Sequence, residues 1–152
     1  MLTYHEYESP LRKTLMSKVD IVKTHFAVEN QHDMQAMLDT LRDEDPIREE
    51  IAGKTYRGQE AVEKRYRELW DAFPDFHVNP YAFTENETSV AAEAIYTGTH
   101  KGTYNGFPAT GKSFKLKIVV VFHFEAPDSP KITSESIYLD YGSQLRQLGL
   151  GS

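Results

Sequence analysis

The apolar residues of this chain change period once, near Pro74, and that change restricts the folds open to it. Before Pro74 they recur at helical steps. Leu15, Val19, Val22 and Phe26 line one helix face, and Val62, Tyr66, Leu69 and Phe73 line another, with Trp70 beside it. Met34, Met37, Leu38 and Leu41 form a shorter run behind Asp33, a residue suited to cap a helix, and Pro46 cannot continue it. The stretch IREEIAGKTYRG between these runs reads as a weak strand and turn. After Pro74 the chain turns to β-branched and aromatic residues. FHVNPYAFT, SVAAEAIYTGTH, SFKLKIVVVFHF and KITSESIYLDY read as four strands, and GSQLRQLG as a short closing helix. Helices first and strands second predict an α+β fold, an antiparallel sheet laid over a helical layer. Residues 1–13 read as a lead-in and residues 14–150 as one domain.

The stretch GFPATGKS, Gly106 to Ser113, fits the phosphate-loop pattern letter for letter. Such a loop binds phosphate because it opens a helix whose free N–H groups hold the anion. The residues after Ser113 have strand character, so the stretch is expected to join two strands, with Lys112 a solvated charge.

Composition removes other classes. The chain has no cysteine, which excludes thiolate chemistry, and its six histidines are scattered, so no metal site is expected. A net charge of −6 gives no general attraction for nucleic acid or an anionic membrane. No apolar stretch approaches a membrane span, and the polar, acid-bearing start does not resemble a secretory signal, so a cytoplasmic location is expected.

Alternation on the last strand puts Ile132, Ser134, Ser136, Tyr138 and Asp140 on one side, with Thr133, Glu135, Ile137 and Leu139 on the other. The polar side lines a pocket if it faces the helices and is ordinary surface if it faces water. Asp140, where strand gives way to helix, suits either a helix cap or a general acid/base. His123 interrupts an apolar run, and a histidine is the natural neutral-pH proton partner for a carboxylate. His100 ends the second strand of this half, and Tyr104 in the following loop can cover a cavity mouth.

YRGQEAV, AFPDF, YTGTHKGTYNGFPATGK, FHF, KI followed by an aspartate, and QLG together resemble the SnoaL-like polyketide cyclases, the ester-cyclase branch of the nuclear-transport-factor-2-like fold. The resemblance runs from about Val19 to Gly149 and is most specific in the Gly-Thr-His hairpin. It implies a cone-shaped α+β barrel, a curved, mainly antiparallel sheet packed on about three helices around a pocket. It also implies Asp140 as the acid/base of an aldol-type ring closure, with His123 its neighbour and His100 the hairpin histidine. Phe26, Trp70, Tyr104 and Tyr138 are then expected, with His100, to contact substrate. The chain departs from the pattern at APDSP, a longer turn before KI, and at Ser136, where a tryptophan is common.

These readings imply a cofactor-free, metal-free enzyme acting on a small hydrophobic or aromatic carbonyl compound, as a homodimer or higher homo-oligomer. Isomerase, dehydratase or hydrolase chemistry on the same scaffold, and a non-catalytic ligand-binding module, remain open alternatives.

Overall fold

The structure, a computed structural model, describes residues 16–50 and 53–151, so the expected lead-in and Leu15 lie outside the described residues. Ser17 accepts a hydrogen bond from the Asp20 N–H and starts α1 (Lys18–Asn30). Asp33 caps α2 (Met34–Leu38) as expected, accepting from Ala36 N–H. A hairpin of β1 (Ile47–Glu50) and β2 (Lys54–Arg57) comes next, then α3 (Gln59–Ala72). The second half supplies β3 (His77–Glu85), β4 (Ser89–Thr99), β5 (Ser113–Phe124) and β6 (Ile132–Tyr138), and α4 (Tyr141–Gln147) ends the series.

All six strands join one sheet in the order β2-β1-β6-β5-β4-β3. Every neighbouring pair is antiparallel except β1 with β6, which run parallel. The sheet is open and mixed, and the helices pack on it, α1 against β3 and β4 and α4 against β5. The α+β reading therefore holds. The parallel contact is what sequence pattern did not announce, because it brings the early hairpin beside the last strand.

Strand β5 shows which side is inside. Phe114, Leu116, Ile118, Val120, Phe122 and Phe124 are buried, while Lys115, Lys117 and His123 are exposed. Removing these apolar side chains from water, with Val22, Phe26 and Tyr66 from the helices and Phe73 just after α3, is the main drive to the fold. The Gly106–Ser113 stretch lies between β4 and β5, and the residues after it continue as strand, so no helix supplies an anion site. None of the described helices is long and apolar enough to cross a membrane.

Candidate functional site

Cross-strand partners in a sheet point to the same side. Register pairs Ser134 with His123, Ser136 with Val121 and Tyr138 with Val119, all on the side of β5 away from the helices. From Ser134 on, the polar side of β6 therefore faces away from the helices, where Tyr138 and Asp140 line an open groove, while a register shift turns Ile132 into the core. Asp140 serves as the cap of α4, accepting from Ser143 N–H at 2.9 Å, with its side chain 69% exposed and Arg146 at 4.0 Å. His123 is exposed and sits opposite Ser134, six residues before Asp140. At about 3.3 Å per residue the two are about 20 Å apart along the sheet. The structure does not bring them together.

The interior side of β6 carries Glu135, opposite Phe122. Glu135 is 2% exposed and is the centre of a buried polar cluster. Arg48 of β1 donates Nη1–H to its Oε1 at 3.0 Å, and the Tyr66 hydroxyl of α3 donates to the same oxygen at 2.6 Å. His25 Nε2 lies 3.2 Å from the other oxygen. Arg48 also donates to Glu50 at 3.1 Å, and Arg65 clamps Glu50 with two bonds of 2.8 Å. Three basic side chains, His25, Arg48 and Arg65, thus meet three carboxyls, Glu29, Glu50 and Glu135.

Hydrogen-bond logic gives the state of His25. Thr40 Oγ1 donates its proton to the Met37 carbonyl at 2.6 Å, so it accepts from His25 Nδ1–H at 2.7 Å. Nε2 then faces Glu135, the Tyr66 oxygen at 3.3 Å and Glu29 at 3.7 Å. Tyr66 has committed its own proton to Glu135, so every neighbour of Nε2 is an acceptor. This geometry suits an imidazolium. Burial alone depresses the His25 pKa, but the hydrogen bond and charge of Glu135, with Glu29 behind it, outweigh that and raise it above 6.5.

The two carboxyls beside His25 part company. Burial pushes Glu29 up to about 7, against the pull of His25. Burial acts the same way on Glu135, but Arg48, His25 and Tyr66 overcome it and hold its pKa to about 2. The signs for stability are therefore opposite. The Glu29 contribution is fully present below pH 4.5 and is lost as pH rises through about 7, and His25, also raised, adds a loss above 6.5. The Glu135 contribution is present above pH 4.5 and is lost as pH falls toward 2. The cluster's contribution is therefore expected to peak near pH 4.5. Urea midpoints from about pH 3 to about pH 8 should fall on both sides, and Glu29→Gln should flatten the upper limb.

Arg48 and Glu50 also face an enclosed cavity of about 30 Å³, walled chiefly by Leu69, Phe73, Tyr104 and Ile137. That volume suits about one water molecule. Tyr96 lines the same cavity, and after burial Glu29 is the largest influence raising its pKa. Among the described residues no group of three or more His, Asp and Glu is placed to hold a metal ion.

The other expected contact residues divide. Tyr104 is a cavity wall, its hydroxyl donating to Gln144 at 3.1 Å. Phe26 is buried, 5.3 Å from Phe122 and 6.0 Å from His25, and so packs behind the cluster. Trp70 stacks on His32 at 4.8 Å, and Tyr138 is 46% exposed on the outer face. His100 is fully buried, with Nδ1 accepting from Thr110 N–H at 3.3 Å, an arrangement that closes the hairpin. Sequence pattern does not single out His25, Glu29, Arg48, Glu50, Arg65 or Glu135. Their signal is charge on apolar faces, His25 and Glu29 beside Val22 and Phe26, and Glu135 between Thr133 and Ile137.

The family described as SnoaL-like polyketide cyclase matches residues 19–148. Among curated proteins, no sequence matches this chain. Among solved structures, a candidate polyketide cyclase from Pseudomonas putida superposes with a TM-score of 0.79 at 20% identity, over 88% of this chain and 98% of that one. A candidate SnoaL-like polyketide cyclase from a Jannaschia species gives 0.78 at 17% identity, over 88% and 92%. A Catenulispora acidiphila protein described as having a ketosteroid isomerase-like fold, in complex with trimethylamine, gives 0.73 at 20% identity, over 89% and 95%. At such identities the likeness establishes the fold.

Proposed function

The chain belongs to the SnoaL-like polyketide cyclase family, and from that premise we propose that it performs acid/base chemistry of the cyclase or isomerase type on a small hydrophobic carbonyl compound, inside the cone. The observation that supports this is the buried cluster around Glu135 abutting an apolar cavity through Arg48. Chemistry at a carbon next to a carbonyl needs a base and a stabilised oxyanion. Glu29, with a pKa of about 7, is the carboxyl best matched to take a proton at neutral pH, and it stands behind the cavity wall, where its charge acts on Tyr96. Glu50 and Glu135 are poorer bases, because their arginine partners hold them ionised. Arg48, at the cavity wall, is placed to face an oxyanion, and the His25 imidazolium, beside both Glu29 and Glu135, balances the charge of Glu29 when that carboxyl is ionised. Neither step calls for a metal or an organic cofactor, since the carbonyl accepts the electron pair.

A second reading keeps the chemistry at Asp140. It is favoured by the position of that residue in the family pattern and by a groove on the outer face shared with Lys117 and Tyr138. Deuterium exchange into a β-keto ester, followed by proton NMR, separates the two. Asp140→Asn should keep the exchange rate, because Asn caps a helix nearly as well as Asp. Glu29→Gln should lose it. The opposite pattern moves the reaction to the outer groove.

The outer face also supports the proposed homodimer. Tyr81 and Tyr138 are 51% and 46% exposed there, beside half-buried Val119. Light scattering should give at least twice the 17.4 kDa chain mass, and Tyr138→Asp should lower it. A wild-type monomer at micromolar concentration rules the pairing out.

A further inference from the structure

Two clefts in this molecule share one wall. The inner one is the cavity of about 30 Å³. The outer one is a surface cleft of about 370 Å³ between Lys54 of β2, Glu68 of α3 and the turn from Thr103 to Gly106. Tyr104 lines both. Its ring is 6% exposed, and the Arg65 guanidinium, which lines the outer cleft, lies 5.7 Å from the ring centre. Arg65 is bonded in turn to Glu50, which lines the inner cavity. One aromatic side chain and one ion pair thus separate a polar vestibule from an apolar chamber.

The turn carrying Tyr104 is built as a small rigid unit. Tyr104 and Phe107 exchange two backbone hydrogen bonds of 2.9 Å, and Asn105 and Gly106 between them have φ of +47° and +84°. The unit is anchored at its base, where the N–H groups of Lys101 and Gly102 bond the Ala72 carbonyl at 2.8 and 3.2 Å. Gly102 lies so close to α3 that a Cβ there would sit 2.5 Å from the Asp71 carbonyl oxygen. Its tip is held by side chains alone. Tyr104 bonds Gln144, and Asn105 bonds Arg65 and Tyr141 at 3.0 Å each.

We propose that the two clefts are halves of one binding site, joined when Tyr104 swings outward about the Gly102 anchor, and that the ligand is an amphiphile with an apolar ring body and an anionic end. The inner half alone is too small for a ring body, and the outer half alone offers charged Lys54, Arg65 and Glu68 with Tyr104 as its one aromatic wall. The outer half supplies the volume, about 370 Å³ and within the usual 300–1,000 Å³ of a ligand pocket, and the inner half supplies apolar walls. The ring body enters among Leu69, Phe73 and Ile137. The anionic end stays at the rim with Lys54, which is exposed, since Arg65 already answers Glu50 and Glu68. This rests on reading the inner cavity as the reaction chamber, and it adds the substrate class.

The test uses two fluorescent probes, anionic 8-anilinonaphthalene-1-sulfonate and neutral N-phenyl-1-naphthylamine, titrated into the full chain. Tyr104→Ala removes the wall and should tighten both probes by about tenfold, because the closed state no longer competes. Lys54→Glu should weaken the anionic probe about fivefold and leave the neutral one unchanged. Val119→Lys on the outer face should change neither. Unchanged affinities in Tyr104→Ala, or loss of binding in Val119→Lys, overturn the proposal. Circular dichroism checks the fold of Tyr104→Ala. If it does not fold, Tyr104→Phe, which only removes the Gln144 bond, should speed association, and an unaltered rate overturns the proposal equally. Probe binding requires no chemistry. The expected affinities alongside normal exchange in Glu29→Gln would therefore refute the reaction site and keep the two-part pocket.

Discussion

Arg48→Met should cost about 3–5 kcal/mol of folding stability, the range for breaking a buried ion pair from one side. Arg48 is 3% exposed and bonds two carboxyls, Glu135 and Glu50, while its guanidinium lies 4.7 Å from the Tyr66 ring centre. Methionine fills much of the same volume, so packing changes little. What changes is that Glu135, 2% exposed and held ionised, loses its strongest counter-charge. Domains of this size have only about 5–15 kcal/mol in total, so the urea midpoint should drop steeply. Adding Glu135→Gln should restore a large part of the loss, because the stranded charge goes with it. A single-variant loss below about 1 kcal/mol would mean that Glu135 reaches water without Arg48.

Glu29→Gln should slow exchange or turnover of a β-keto ester by about 10²–10⁴-fold, the usual contribution of a positioned base. Gln preserves the volume and the buried position but has no basic lone pair to offer. For wild type, kcat/KM should rise with pH through about 7, as Glu29 loses its proton. The variant's residual rate should lack that limb. This pH signature separates a base from a packing residue, since a merely loosened core would lower the rate at every pH alike. Retention of the limb in Glu29→Gln would pass the role to another group.

Much of the fold was legible because period is a backbone property. The spacing of Val62, Tyr66, Leu69 and Phe73 specified α3, and the alternation Phe114, Leu116, Ile118 specified β5 together with its inward face. Asp33 declared itself as a cap by chemistry alone. The site was harder to read. Alternation divided β6 correctly from Ser134 on, a register shift having turned Ile132 inward, but could not say which face meets the helices, and the polar-rich face drew attention to Ser134, Tyr138 and Asp140. A buried ionic cluster gives the reverse pattern, a single charge among apolar neighbours on each of several elements. Glu135 beside Ile137 has that pattern, as do His25 and Glu29 beside Val22 and Phe26. Such isolated charges become informative only when partners are known, and here the closest partner of Glu135 on another strand comes from a hairpin that pattern reading made merely weak.

The parallel pairing of β1 with β6 has a kinetic consequence. The Arg48–Glu135 bond closes 87 residues of chain, so it can form only after the long antiparallel strands between them have found their places. The ionic cluster is thus expected to complete late in folding, after β3 to β5 have paired. Trp70, the chain's single tryptophan, lies 5.6 Å from Tyr66, whose hydroxyl binds Glu135. Its fluorescence during refolding therefore watches this step, and a lag between β-sheet ellipticity and tryptophan signal would time the docking of β1 on β6.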